Sequence, residues 1–210
     1  MGRHLNNNDK DKIVELYETR FEEYGYNHKT VGWGSDVDQI LRFEVLCRGL
    51  ELQGKSVLDV GCGLGDLVPF LEDKIGKEFT YTGIDIAPKL VQSANDKFGK
   101  ENIRFICTEM SKLPKNEVYD VVFLSGALNY RVEDNVEYAK TVIEELYHRS
   151  REAVAVNFLS SYVDYETEKN FHYSPEDMFS FSKGLTRWVK LYHDYPLWEF
   201  TVQLHHFPQK

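Results

Sequence analysis

The stretch Val57-Leu58-Asp59-Val60-Gly61-Cys62-Gly63-Leu64-Gly65 constrains this 210-residue chain more than any other. Ser56 to Val60 is a short apolar run of strand type, and three glycines follow at alternate positions. A strand that turns sharply into a helix, with a ligand approaching its backbone, leaves no room for side chains at Gly61, Gly63 or Gly65. Leu67 to Lys74 reads as the helix that opens at this loop. By itself the loop implies only a nucleotide-like ligand. The dinucleotide fingerprint G-x-G-x-x-G would place its last glycine at position 66, where Asp66 stands, and that argues against a nicotinamide cofactor. The spacing is instead G-x-G-x-G, preceded by an acid. A carboxylate at Asp59 repels a pyrophosphate and can hold an ammonium, although an acid there can also simply cap the next turn.

Periodicity extends the pattern. Phe79 to Ile86, Ile103 to Cys107, Tyr119 to Leu124 and Ala153 to Leu159 read as strands, and Pro88 to Phe98 and Asp134 to His148 as helices between them. Such alternation predicts an α/β fold with a mostly parallel sheet covered on both faces. Residues 1–53 read as an N-terminal helical cap on a core of residues 54–210, all within one domain. In the cap, Asp9 to Tyr24 is helical and stops at Gly25. Gly32-Trp33-Gly34-Ser35 is a loop, and Ser35 starts a second helix that ends near Leu50. The last quarter breaks the alternation. Ser174-Pro175 opens a helix to about Lys183, stopped by Gly184, and Thr186 to Asp194 and Phe200 to Phe207 form an antiparallel hairpin at the sheet edge.

Composition narrows the partners. Net charge is −9, so the chain is a poor general binder of phosphate backbones, and no nucleic acid is expected. The one dense basic cluster, His148, Arg149 and Arg151, falls where a helix should end and complements its dipole. No run approaches the roughly 20 apolar residues that span a bilayer, so no membrane partner is expected. Met1 to Asp11 is polar, reads as neither a signal nor a transit peptide, and is expected to fray. Cys47, Cys62 and Cys107 lie far apart among apolar neighbours. They predict buried free thiols in a reducing cytoplasm, with no disulfide framework and no metal site. The pattern carries no expectation about oligomeric state.

The remaining strand ends supply further ligand groups. Asp85 ends the second strand, where a carboxylate can accept both hydroxyls of a ribose, though alone it can be a surface acid. Ile86 would pack on an adenine face. After the third strand, Glu109 could accept from an adenine amino group and the Met110 amide could donate to the ring. The fourth strand ends at Ser125-Gly126-Ala127-Leu128, beside where a reacting group would sit.

Together these residues resemble the class I S-adenosylmethionine-dependent methyltransferases, in particular uncharacterised bacterial-type members, over roughly Gly54 to Ser160. The resemblance implies a Rossmann-like seven-stranded sheet of order 3-2-1-4-5-7-6. It also implies S-adenosylmethionine bound across the carboxyl ends of strands one, two and four. The family usually carries Asp at the position of Glu109.

Methyl transfer is an in-line displacement in which alignment and desolvation can do much of the catalysis, and a base is needed only if the nucleophile arrives protonated. Candidates for acceptor chemistry are Tyr130, in Asn129-Tyr130-Arg131, and His172, although a histidine there can simply cap or pack. The aromatic segment Phe158 to Tyr173, with Tyr162 and Tyr165, would form a lid over an organic substrate or close a local core. Tyr17, Trp33 and Arg42 would fold over the cofactor, with Arg42 pairing its carboxylate, or belong to a plain helical cap. The expected activity is methyl transfer to O or N of a small molecule. A non-catalytic cofactor-binding sensor and a methyltransferase acting on protein are the alternatives.

Overall fold

The computed structural model describes residues 2–209. In chain order its elements are α1 (Asn7–Tyr24), α2 (Asp36–Leu46), β1 (Ser56–Val60), α3 (Leu67–Ile75), β2 (Thr80–Asp85), α4 (Pro88–Phe98), β3 (Ile103–Cys107), β4 (Tyr119–Leu124), α5 (Asn135–His148), β5 (Ser150–Leu159), α6 (Pro175–Leu185), β6 (Trp188–Tyr192) and β7 (Glu199–His205). They form one seven-stranded sheet of order β3-β2-β1-β4-β5-β7-β6. Strands β1 to β5 pair in parallel, and β7 runs antiparallel to both β5 and β6. The order reverses at β1 and β4. The chains leaving these strands diverge to opposite faces, which opens a crevice at their carboxyl ends.

Alternation within the strands builds two cores. Leu58, Val122, Leu124, Val154 and Val156 point to one face and pack on Ala139, Ile143 and Leu146 of α5. Val57, Val121, Phe123 and Ala155 point to the other and pack on Phe43 and Leu46 of α2 and Leu67, Val68 and Leu71 of α3. Strand β7 is buried throughout, yet only Phe200, Val202 and Leu204 on one of its faces are apolar. Its other face is polar, and two of its residues reach α2: Gln203 donates from Nε2 to the Leu46 and Arg48 carbonyls at the C-terminal end of α2, and Glu199 pairs with Arg42 of α2. The carbonyls a helix leaves unpaired at its end are thus satisfied by a neighbouring strand.

Element ends depart from expectation where tertiary contacts decide them. Helix α2 stops at Leu46, not near Leu50, because the chain turns through Gly49 at φ +71°. Strand β5 starts at Ser150, three residues early. Arg151 and Glu152 are tolerated at this end of the sheet because they pair with Asp120 and Lys55. Helix α6 runs through Gly184 to Leu185, whose side chain packs on the core. The hairpin strands are shorter than expected, and β7 begins at Glu199, anchored by Arg42. Cys47 and Cys62 are buried free thiols, but Cys107 is exposed, since the sheet edge at β3 leaves it uncovered. The tail expected to fray makes defined contacts from Arg3 onward. Arg3 donates its backbone N–H to Thr141 Oγ1 and pairs with Glu133, and Asn6 caps α1. The basic cluster does more than complement a dipole. Arg149, 8% exposed, donates to the carbonyls of Met110, Leu113, Pro114 and Glu117 and so fixes the loop between β3 and β4. Among the described residues no helix is long and apolar enough to cross a membrane.

Candidate active site

Strand β1 leaves the sheet through Gly61 (φ +74°), whose N–H, with that of Cys62, donates to the Ile84 carbonyl of β2. A Cβ on Gly61 would meet that of Ala127 at 2.5 Å, and one on Gly63 would meet Val31 Cγ1 at 2.9 Å. Only glycine therefore lets this loop lie against the β4 turn and the cap. The loop floors a cavity of about 160 Å³, bounded also by the ends of β2, β3 and β4 and roofed by the cap.

Most of the predicted ligand residues converge there: Asp59, Gly61, Gly63, Asp85, Ile86, Glu109, Met110 and Ser125, together with Tyr17, Trp33 and Tyr130. Asp59 is 4% exposed. Its Oδ2 accepts from the Tyr81 hydroxyl at 2.6 Å, whereas its Oδ1 is buried without a partner. Burial pushes its pKa up to about 7, helped by the charges of Asp85 and Asp66 and opposed by the Tyr81 bond. Asp85 accepts from Gly63 N–H at 3.0 Å and Ala87 N–H at 2.9 Å, which joins the glycine loop to the start of α4. Burial raises its pKa although these backbone bonds favour the charged form. Glu109 forms ion pairs with Lys10 of α1 and Lys112. Burial would raise its pKa, but the two ammonium groups outweigh that and hold it below the usual value. Ser125 Oγ is buried without a partner at the end of β4.

Four expectations need correction. Gly65 (φ +77°) does not line the cavity. A Cβ there would run into the Phe105 ring at 2.8 Å, so this glycine serves loop-to-strand packing. Arg42 does not reach the cavity either. It is 3% exposed, its Nε and Nη2 grip Glu199 at 2.6 and 2.5 Å, and its guanidinium carbon lies 3.6 Å from the Trp33 ring centre. His172 touches neither this cavity nor the one beside it, and donates from Nδ1 to the Ser160 carbonyl at 2.8 Å. Tyr162 and Tyr165 are exposed and form no lid, while Tyr173 is part of the core. The same segment returns to the site through different residues, because its Lys169-to-Phe171 backbone pairs with Asn129 to Arg131.

A second cavity, about 440 Å³, lies beside the first and shares Tyr17, Val31, Trp33, Gly126 and Tyr130 with it. A buried chain of bonds supports the shared wall. Gly126 N–H donates to Asn157 Oδ1 at 2.7 Å, Asn157 Nδ2 donates to Glu199, and Glu199 holds Arg42 beneath Trp33. Asn157 and Glu199 escape sequence reasoning because the chain is ordinary around both. The supporting role of Asp66 escapes it too: its carboxylate accepts from Tyr26 and from Gln39 Nε2, pinning the cap to the glycine loop. The nearby polar first tail had no signal at all, yet His4 and Leu5 line the cavity.

A model of the methyltransferase domain matches residues 57–153. "Putative methyltransferase Rv1506c" of Mycobacterium tuberculosis is 32% identical over 155 residues, covering 70% of this chain and 90% of that protein. Malonyl-[acyl-carrier protein] O-methyltransferase of Acetivibrio thermocellus is 36% identical over 84 residues, 39% of this chain and 29% of that one. Among solved structures, the DhpI–SAM–HEP complex superposes with a TM-score of 0.70 at 14% identity, over 95% of this chain and 99% of that one. Magnesium protoporphyrin IX methyltransferase of Synechocystis PCC 6803 with bound SAH does so with a TM-score of 0.58 at 16% identity, over 99% and 90%. The chain belongs to the S-adenosylmethionine-dependent methyltransferases.

Proposed function

We propose that the protein transfers a methyl group from S-adenosylmethionine to an oxygen or nitrogen of a small organic molecule. The observation that carries this is the wall shared by the two cavities. Displacement at a methyl carbon needs donor and acceptor on opposite sides of one point, and Tyr17, Val31, Trp33, Gly126 and Tyr130 border both spaces. A sensor that only bound the cofactor would have no use for the second cavity.

The first cavity fits the cofactor. Asp59 Oδ1 is an orphaned buried acceptor that an ammonium would satisfy, and Ser125 Oγ is a second unpartnered group at the same end. Asp85, fixed by two backbone N–H groups, keeps lone pairs for ribose hydroxyls, and Gly61 and Gly63 let the loop backbone come close. Ile86 and Met110 would sandwich the adenine, with Glu109 at its edge. The cofactor supplies a methyl carbon bonded to a cationic sulfur. The protein's contribution is alignment and exclusion of water by Tyr17 and Trp33, with the Tyr130 hydroxyl on the shared wall to orient the acceptor. Burial raises the Tyr17 pKa, so this phenol stays neutral and can donate a hydrogen bond.

Calorimetry with S-adenosylhomocysteine and with NAD is the first test, and binding of NAD alone refutes the proposal. Transfer of labelled methyl into a small-molecule extract, absent in a Gly63→Arg variant, is the second. Label appearing only in protein would replace the small acceptor by a macromolecular one.

A further inference from the structure

We infer that the acceptor is an acid, bearing a carboxylate or phosphate-type oxyanion held by Arg42, Arg20 and Lys169 in the second cavity. The inference rests on the proposed function, since it names the substrate class of that site.

The central observation is Arg42. Its guanidinium is buried under Trp33, and one edge of it is occupied by Glu199. Nη1, on the side away from that bidentate grip, is buried with no partner, and Arg42 lines the second cavity. A buried guanidinium N–H without an acceptor is unfavourable, so such a group is expected to meet a ligand oxygen. The planar fork suits two oxygens of one oxyanion, and the Glu199 and Trp33 contacts fix its plane before any ligand arrives.

The surrounding charges agree. Arg20 and Lys169 line the same cavity, and neither forms an ion pair among the described residues. Among the described residues, the carboxylates lining it are Asp38 and Glu199. Glu199 is neutralised by Arg42, and Asp38 sits in the first turn of α2, where the helix dipole favours it. Two cations therefore face one free carboxylate in a chain of net charge −9, so the local sign opposes the global one. Asn129 adds a neutral donor. Its Oδ1 accepts from Leu159 N–H at 3.2 Å, which orients the amide and leaves Nδ2 available to the cavity. An acid anchored at Arg42 would direct its nucleophile toward the wall at Tyr130 and Gly126, which both cavities share.

The test uses the full chain saturated with S-adenosylhomocysteine. Inorganic phosphate and malonate are titrated by calorimetry, with choline and acetamide as cationic and neutral controls. One or both anions should bind, more weakly at high salt, and the controls should not. Phosphate alone assigns a phosphate-type group, malonate alone a carboxylate, and both the shared oxyanion chemistry. Arg20→Gln and Lys169→Gln, changes on the cavity rim that leave the core intact, should each weaken anion binding about tenfold. Arg42→Lys should weaken it further, and the rim variants keep the test decisive if that protein fails to fold. The labelled product from an extract should be retained on an anion exchanger. Absence of anion binding, rim variants that bind as the unaltered protein does, or a neutral or cationic product would overturn the inference. If S-adenosylhomocysteine itself fails to bind, the proposed function falls instead.

Discussion

Asp59 offers the sharpest test of how this site holds its cofactor. Replacing it by Asn keeps the shape and the bond from Tyr81 but removes the charge. A hydrogen bond to a charged group contributes about 1.5–3 kcal/mol. At about 1.4 kcal/mol per factor of ten, Asp59→Asn should weaken S-adenosylhomocysteine roughly 10- to 150-fold at pH 8. The pKa of about 7 adds a second signature. An ammonium binds the ionised form, and about nine-tenths of Asp59 is ionised at pH 8 but about a tenth at pH 6. Affinity of the unaltered protein should therefore fall about tenfold between pH 8 and pH 6. The Asn variant should show no such slope, and calorimetry in two buffers should detect a proton released on binding near pH 6. Methylthioadenosine, which lacks the amino-acid portion, serves as the control, and neither the substitution nor pH should change its affinity. The sign for stability runs the other way. Because the folded pKa lies above the unfolded one, stability from Asp59 is full below about pH 4 and is lost as pH rises to about 7. Ligand-free Asp59→Asn should accordingly melt no lower than the parent at pH 8. Equal losses for both ligands, or a flat pH profile in the parent, would refute the assignment of the ammonium to Asp59.

Other predictions separate support from contact. Gly61→Ala and Gly65→Ala both force a side chain into left-handed backbone and should each cost at least about 1–2 kcal/mol, seen as a lower Tm. Only Gly61→Ala should also weaken S-adenosylhomocysteine severalfold, because only Gly61 borders the cavity; parallel losses in calorimetry would contradict that division. Glu199→Leu should cost about 3–5 kcal/mol in urea unfolding by leaving Arg42 buried without its counterion, and adding Arg42→Met should restore most of the loss. A double variant no more stable than the single one would mean that the pair is not the source. Asp66→Ala should release Tyr26 and Gln39, so that amide exchange accelerates in residues 26–39 while the β-strands keep their protection.

The sequence alone determined the sheet and the cofactor, because both depend on local regularities. Period-two strands alternating with amphipathic helices specify a parallel sheet. Glycines at 61 and 63 and carboxylates at 59 and 85 lie at strand ends, where the chain must pass the crevice. These signals survive without knowledge of which distant segments meet. Tertiary structure decided the rest. Arg42 and Glu199 are 157 residues apart, and only the placement of β7 against β5 brings them together and turns Arg42 from the cofactor toward the second cavity. Gly65 has the same local signature as Gly61, yet the Phe105 ring from β3 makes it a packing residue. His172 and Tyr162 sit in a suggestive aromatic run, but its backbone pairing with Asn129 to Arg131 presents Lys169 and Asn170 to the second cavity instead. A short motif can fix its own backbone, and so what can approach it. Which side of a long-range contact a charge or ring falls on is set by strand pairing and core packing, and that is where the second cavity acquires its chemistry.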